Sequence, residues 1–197
     1  LKSIPGASDE LMREAGLYAD RLSVNIEIPT TSGLKLLAPD KKREDFIKPM
    51  VKVKNEIIQY KAEKKLIKST PKYAPAGQST QMIIGASGET DKDIMYASNY
   101  FYKNFNLKRV YYSGYVPISY DSRLPQIGAE VPMLRENRLY QTDWLLRFYG
   151  FDITEILNED HMNLDLDIDP KLSWALRNMN EFRVRVALSP IFFKSGL

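Results

Sequence analysis

Cysteine is absent from this 197-residue chain, and histidine occurs once, at His161. Without a thiol there is no disulfide, no thiolate metal ligand and no cysteine nucleophile within this chain. A single imidazole excludes a His-rich metal centre, so no metal site is assigned. Long apolar runs are missing as well. Nothing approaches the roughly 18 residues that a membrane-spanning helix needs. The opening Leu1-Lys-Ser-Ile-Pro-Gly6 turns polar too soon for a signal peptide. The sequence therefore reads as cytoplasmic, with no membrane partner.

What is present is a globular composition, 44% apolar and 27% charged, which argues against disorder. The net charge of +3 is unevenly spread. Residues 41–68 carry ten Lys or Arg against four acids, whereas residues 150–169 carry seven acids and no Lys or Arg. The basic run reads either as the solvated face of a helix or as a nucleic-acid contact. His161, beside Asp160 in the acidic stretch, reads as a surface residue.

Periodicity divides the chain into alternating elements. Ser8 caps a helix over about 9–20, with Asp9 and Glu10 in its first turn. Arg21 to Pro29 alternates, with Leu22, Val24, Ile26 and Ile28 on one face and Ser23, Asn25 and Glu27 on the other. Residues 40–68 read as a helix broken near Pro49, with Met50, Val53, Ile57 and Tyr60 as its buried stripe. Thr80–Gly85 is a short strand. Thr90 and Asp93 form a capping-box pattern that opens the next helix. Arg109–Pro117 is another strand. Helix and strand in alternation imply parallel strands with covering helices.

After a loop over 118–130 the pattern becomes helical. Pro132–Tyr149 is an amphipathic helix ended by Gly150, Asp152 with Glu155 caps a short helix, and Asp169-Pro170 opens another. The helix over 132–149 interleaves Arg135, Arg138 and Arg147 with aromatic residues, a pattern able to bind single-stranded nucleic acid. Its aromatics, Trp144 and Phe148 included, are expected to join the core. Met50, Met82 and Met95 read as core filler.

In parallel α/β folds, ligands bind at the carboxyl ends of the strands. Two segments end there. Asn25 and Glu27 share one face of their strand and could bind amine and hydroxyl groups, or form a structural polar layer. Gln81-Met-Ile-Ile-Gly-Ala-Ser-Gly-Glu-Thr-Asp-Lys-Asp-Ile94 joins an apolar run to a helix start through two glycines and an acid. Ile83 and Ile84 could contact a flat base, and the helix start at Thr90 is expected to offer free amides. A Gly-x-x-Gly turn also occurs in strand–helix links that bind nothing.

Together these segments resemble one family. Met82-Ile-Ile-Gly-Ala-Ser-Gly-Glu-Thr-Asp91 is similar to the strand-to-helix segment of radical S-adenosylmethionine enzymes, and Arg21-Leu-Ser-Val-Asn-Ile-Glu-Ile-Pro29 to an earlier barrel strand. Tyr73-Ala-Pro-Ala-Gly-Gln-Ser-Thr-Gln81, Arg109-Val-Tyr-Tyr-Ser113 and Arg138-Leu-Tyr-Gln-Thr-Asp-Trp-Leu-Leu-Arg-Phe-Tyr-Gly150 resemble the DNA modification or repair subgroup. The resemblance runs from about residue 3 to 182. It implies a partial TIM-like (β/α) barrel that holds a 4Fe-4S cluster and S-adenosylmethionine, cleaved reductively to a 5′-deoxyadenosyl radical. Asn25 and Glu27 would then face the methionine or ribose portion, with Ile83, Gly85 and Glu89 on the adenosine side. Arg135, Arg138 and Arg147 remain nucleic-acid candidates, with DNA as the implied partner.

The family's Cys-x-x-x-Cys-x-x-Cys motif is lacking, and the chain opens at Leu1 in mid-element. The expectation is a fragment: residues 1–117 as the second half of the barrel, 118–197 as a helical C-terminal region, and a missing N-terminal half that carries the cysteines. Alone it would be inactive. Gln81 stands where some members carry Gly, the acid falls one place later, and residues 181–197 lack the subgroup's Pro-Gly-[Ile/Leu]-Gly hairpin. Two other readings compete, a nucleic-acid-binding module and an α/β scaffold without catalysis.

Overall fold

The computed structural model describes residues 1–4 and 6–180; the 181–197 segment, with its missing hairpin, lies outside the described residues. Four strands, β1 (Lys2–Ser3), β2 (Leu22–Val24), β3 (Gln78–Ile84) and β4 (Arg109–Gly114), form one parallel sheet in the order β1-β2-β3-β4. Between them run α1 (Asp9–Tyr18), α2 (Thr31–Leu37), α3 (Glu44–Leu66) and α4 (Asp91–Phe105). After β4 come α5 (Met133–Phe148), α6 (Ile153–Ile156) and α7 (Pro170–Arg177). The fold is α/β, as the alternation of periods implies. β1 and α2 were not legible: one is two residues long and the other seven, too short for a period to register.

Sheet polarity follows from strand alternation. Leu22, Val24 and Ile26, then Met82 and Ile84, then Val110 and Tyr112 all turn to the helix-covered side and are buried. Helix α3 adds Met50, Val53, Ile57 and Tyr60, the stripe expected from spacing, and α4 adds Ile94, Met95, Phe101 and Phe105. Leu22, Val53, Ile57 and Tyr60 pack with Met12, Tyr73 and Ala74 in one cluster, and the others form a larger one with Leu139 and Leu145 of α5, Ile153 and Ile156 of α6, and Leu164. Met50, Met82 and Met95 are fully enclosed in it.

Three local expectations need correction. Helix α3 is not broken at Pro49 but runs unbroken through it. The ring removes the donor that would reach the Asp45 carbonyl and crowds that carbonyl, but its fixed φ suits a helix, and the element continues past it. Strand β2 stops at Val24, well before Pro29: the Ile26 N–H bonds to Thr80 Oγ1 (3.1 Å), and Glu27 takes a left-handed φ of 60°. A single bridge, Glu27 to Met82, then resumes the pairing. Finally, Trp144, Phe148 and Tyr149 lie on the surface, because α5 turns Leu139, Thr142, Asp143 and Leu145 inward.

The two sheet edges differ. Along the outer edge of β4 every second N–H is taken by a side chain. Val110 N–H bonds to Tyr102 Oη (2.9 Å), Tyr112 N–H to Tyr140 Oη (3.0 Å) and Gly114 N–H to Glu136 Oε2 (2.7 Å). The Tyr140 hydroxyl also donates to the Tyr112 carbonyl. Sealed this way, the edge cannot accept a further strand. No strand lies beyond β1 among the described residues.

Candidate functional site

The face of the sheet opposite the helices is polar and is only partly shielded. Ser23, Asn25, Gln81, Ile83, Arg109, Ser113 and Tyr115 on it are half-buried, and Tyr111 is exposed. A hydrogen-bonded row crosses it: Ser23 Oγ donates to Asn25 Oδ1 (2.6 Å), and Asn25 Nδ2 donates to Gln81 Oε1 (3.0 Å). Asn25 is thus fixed by its neighbours, Ser23 and Gln81. Toward the other end, Arg21 Nη1 donates to Tyr111 Oη (2.9 Å), and the Arg109 guanidinium lies over the Tyr111 ring (5.2 Å). The Nε atoms of both arginines are buried without a partner.

Glu27 stands at the carboxyl end of β2. Its carboxylate sits between Lys41 Nζ (2.7 Å) and Lys2 Nζ (3.7 Å). The left-handed backbone of a non-glycine residue is uncommon and costs free energy, so the fold holds this side chain in place against a local preference. Lys41 comes from the segment before α3, fourteen residues on, and nothing in the local pattern links the two.

The Gly85–Glu89 turn is closed from within. Gly85 has φ +84°, which favours glycine, and a Cβ there would press on Pro132 at 3.1 Å. The Glu89 side chain has no solvent exposure. It accepts from Gly85 N–H (2.5 Å), Ser87 N–H (3.0 Å) and Ser87 Oγ (2.7 Å). The helix start is occupied too. Thr90 N–H goes to Asp93 Oδ2, Asp91 N–H to Asn163 Oδ1, Lys92 N–H to the Met162 carbonyl and Asp93 N–H to Thr90 Oγ1. The expected free amides are therefore not free. The capping box reads correctly from sequence, but the loop over 162–164, about 70 residues away, supplies the other acceptors.

This removes anion binding from the turn and leaves a neutral wall. Ile83 points onto the polar face beside Gly85, at the same end of the sheet as Glu27. Ser87 abuts α2, where a Cβ on Gly33 would meet Ser87 Oγ at 2.6 Å. Arg123 Nη1 donates to the Leu36 carbonyl (2.9 Å) and ties the loop after β4 to α2. The same guanidinium holds the Asp121 carboxyl down at about 2 through its hydrogen bonds.

The three arginines of α5 have internal partners. Arg135 Nε donates to Asp91 Oδ1 (2.6 Å), and its Nη2 to the Glu89 carbonyl (2.7 Å), so it clamps the turn from behind. Arg138 donates to Gln141 Oε1 and to the Leu166 carbonyl. Arg147 pairs with buried Asp143, which also accepts from Tyr102 Oη (2.6 Å). Burial, reinforced by the Asp143 charge, pushes the Tyr102 phenol far above its ordinary value. His161 is exposed, as expected, and no group of three or more His, Asp or Glu among the described residues could hold a metal. No helix among them is long and apolar enough to cross a membrane.

The structure thus brings Asn25, Glu27, Ile83 and Gly85 to one face and one end of the sheet, and turns Glu89 away from it. Sequence reasoning missed Ser23, Lys41 and Gln81 as their partners; of these, only Ser23 lay in the alternation already read. No family model, no curated protein and no solved structure matches this chain, so the site rests on its own geometry.

Proposed function

We propose that this chain is the second half of a radical S-adenosylmethionine (β/α) barrel, of the type that acts in DNA modification or repair. The observation that carries the reading is the polar, half-shielded face of a parallel sheet, with Asn25, Glu27, Ile83 and Gly85 gathered at its carboxyl end. Parallel sheets are usually covered on both faces, and a polar, half-shielded second face supports further strands or a ligand over it. The sealed β4 edge directs any added strands to β1, where the cysteine-bearing half would join.

The residues present fit the two implied groups unequally. The chain has no cysteine and cannot supply the thiolates of a 4Fe-4S cluster, so in this reading those ligands would come from the partner half. An adenosine fits better. Ile83 and the Cα face of Gly85 give an uncharged wall for a base, and the occupied amides of the turn suit a neutral ring rather than a phosphate. Glu27 suits an ammonium or a hydroxyl pair, in competition with Lys41.

The test is co-production with the segment encoded upstream of Leu1. With dithionite as the reductant, the expected result is a brown, EPR-active complex that converts S-adenosylmethionine to methionine and 5′-deoxyadenosine, while 1–197 alone binds no cluster. An upstream sequence without the three cysteines, or a complex that takes up no iron, would overturn the reading.

A further inference from the structure

The aromatic residues of α5 that were expected in the core form an exposed patch instead. Trp144 is 52% exposed, Phe148 61% and Tyr149 42%. Burying such rings is worth roughly 1.5–3 kcal/mol apiece, so three left together in water is a costly arrangement for a face without a partner. The rings are contiguous. Trp144 and Phe148 meet at 5.0 Å, and Tyr140, Trp144 and Tyr149 line a shallow hollow together with Gln141 and Lys171.

Cations lie on these rings. Arg147 sits 4.7 Å over Phe148, Lys171 5.2 Å over Tyr149 and Arg109 5.7 Å over Tyr140. The one acid on this stretch of α5, Asp143, is buried and already shared between Tyr102 and Arg147. Arg147 is paired with Asp143, so the positive charge beside these flat apolar faces comes from Arg109 and Lys171, and residues 140–149 add no exposed carboxylate. A neutral lipid surface or an apolar helix would use the rings but not the cations; an anionic bilayer would meet both but has no flat faces to stack on the rings; an acidic peptide would use the cations but not the row of ring faces. A chain of flat bases on a phosphate backbone uses both.

We infer that the outer face of α5 is a stacking platform for a single-stranded polynucleotide, with bases on Trp144, Phe148 and Tyr149 and phosphates near Lys171 and Arg109. This goes beyond the barrel reading, and requires neither its cofactor nor its second half. It shifts the nucleic-acid role from Arg135, Arg138 and Arg147, whose hydrogen bonds hold the fold, to the rings beside them.

The experiment is a fluorescence titration of the 197-residue chain with an oligothymidylate and with a duplex of equal length. Of the two tryptophans, Trp174 is 3% exposed and serves as an internal reference, so quenching reports on Trp144. The single strand is expected to quench and the duplex to bind more weakly. Log affinity should fall against log salt with a slope of about −0.7 per phosphate engaged. Trp144→Ala should weaken binding on the order of ten- to a hundredfold, and Trp144→Phe should restore most of it. Lys171→Gln should reduce the salt slope without abolishing quenching. Far-UV circular dichroism confirms that each variant is folded.

Absence of binding at low salt, or binding that Trp144→Ala leaves unchanged, would overturn the inference. So would concentration-dependent self-association that Trp144→Ala removes while the oligonucleotide has no effect, since the face would then pair with a second copy. None of these outcomes bears on cluster assembly with the upstream segment.

Discussion

Glu89 is the residue whose role the structure changes most, from ligand contact to internal strut, and the two roles predict different stabilities. Its carboxylate is wholly buried and accepts from Gly85 N–H, Ser87 N–H and Ser87 Oγ, with Arg135 Nη1 at 3.5 Å. Glu89→Ala leaves two backbone donors without acceptors, each costing about 1–3 kcal/mol. It also takes one carboxylate from a buried guanidinium, a change worth about 3–5 kcal/mol when no other partner remains. Arg135 keeps Asp91 at 2.6 Å and the Glu89 carbonyl at 2.7 Å, so the ionic loss falls below that range. These losses overlap, and the expected total is about 3–5 kcal/mol. Glu89→Gln keeps the shape and one acceptor oxygen and should cost about 1–2 kcal/mol. Urea unfolding followed by circular dichroism measures both from midpoint and slope. A Glu89→Ala variant within about 1 kcal/mol of the parent, with unchanged slope, would refute the strut. The carboxylate would then have to face solvent or a ligand.

Alkaline pH should unfold the protein. Tyr73 is raised to about 12, mainly by burial, and burial also raises Tyr102, Tyr112 and Tyr140. A folded-state value above the unfolded one near 10 means that the folded chain retains protons the unfolded chain loses. The stability these phenols contribute is complete below about pH 10 and declines as pH rises through 12. Melting points between pH 8 and 12, with tyrosinate absorbance alongside, check this; ionisation of all 12 tyrosines near pH 10 with an unchanged melting point would contradict it. Tyr140→Phe removes the hydroxyl that serves both Tyr112 N–H and its carbonyl, and should cost about 1–2 kcal/mol while raising the tendency to associate through β4, read by sedimentation. Gly85→Ala meets both a positive φ and Pro132 at 3.1 Å, and should lower stability by about 1–2 kcal/mol in the same urea assay.

Local pattern carried the larger elements. Met50, Val53, Ile57 and Tyr60 at helical spacing, and Leu22, Val24 and Ile26 in alternation, each place one side in the core, because the apolar residues of these amphipathic elements share one face. Thr90 with Asp93, and Asp169 before Pro170, mark helix starts through bonds made within a few residues. That information is local, so it survives in the sequence.

The site obeys a different logic. Whether the amides at Thr90–Asp93 were free depended on Asn163 and Met162, and whether Asn25 was fixed depended on Gln81. Lys41 reached Glu27 across a helix and a loop. The aromatic pattern of α5 was visible, but which side of that helix met the core was set by β4, whose edge drew Tyr140 and Glu136 inward and left Trp144 and Phe148 outside. Sequence alone determined the alternation of helix and strand, because periodicity is a property of neighbours. Only the tertiary structure decided which polar groups were already satisfied and which faces stayed bare, because hydrogen-bond partners and burial are set by residues far apart in the chain.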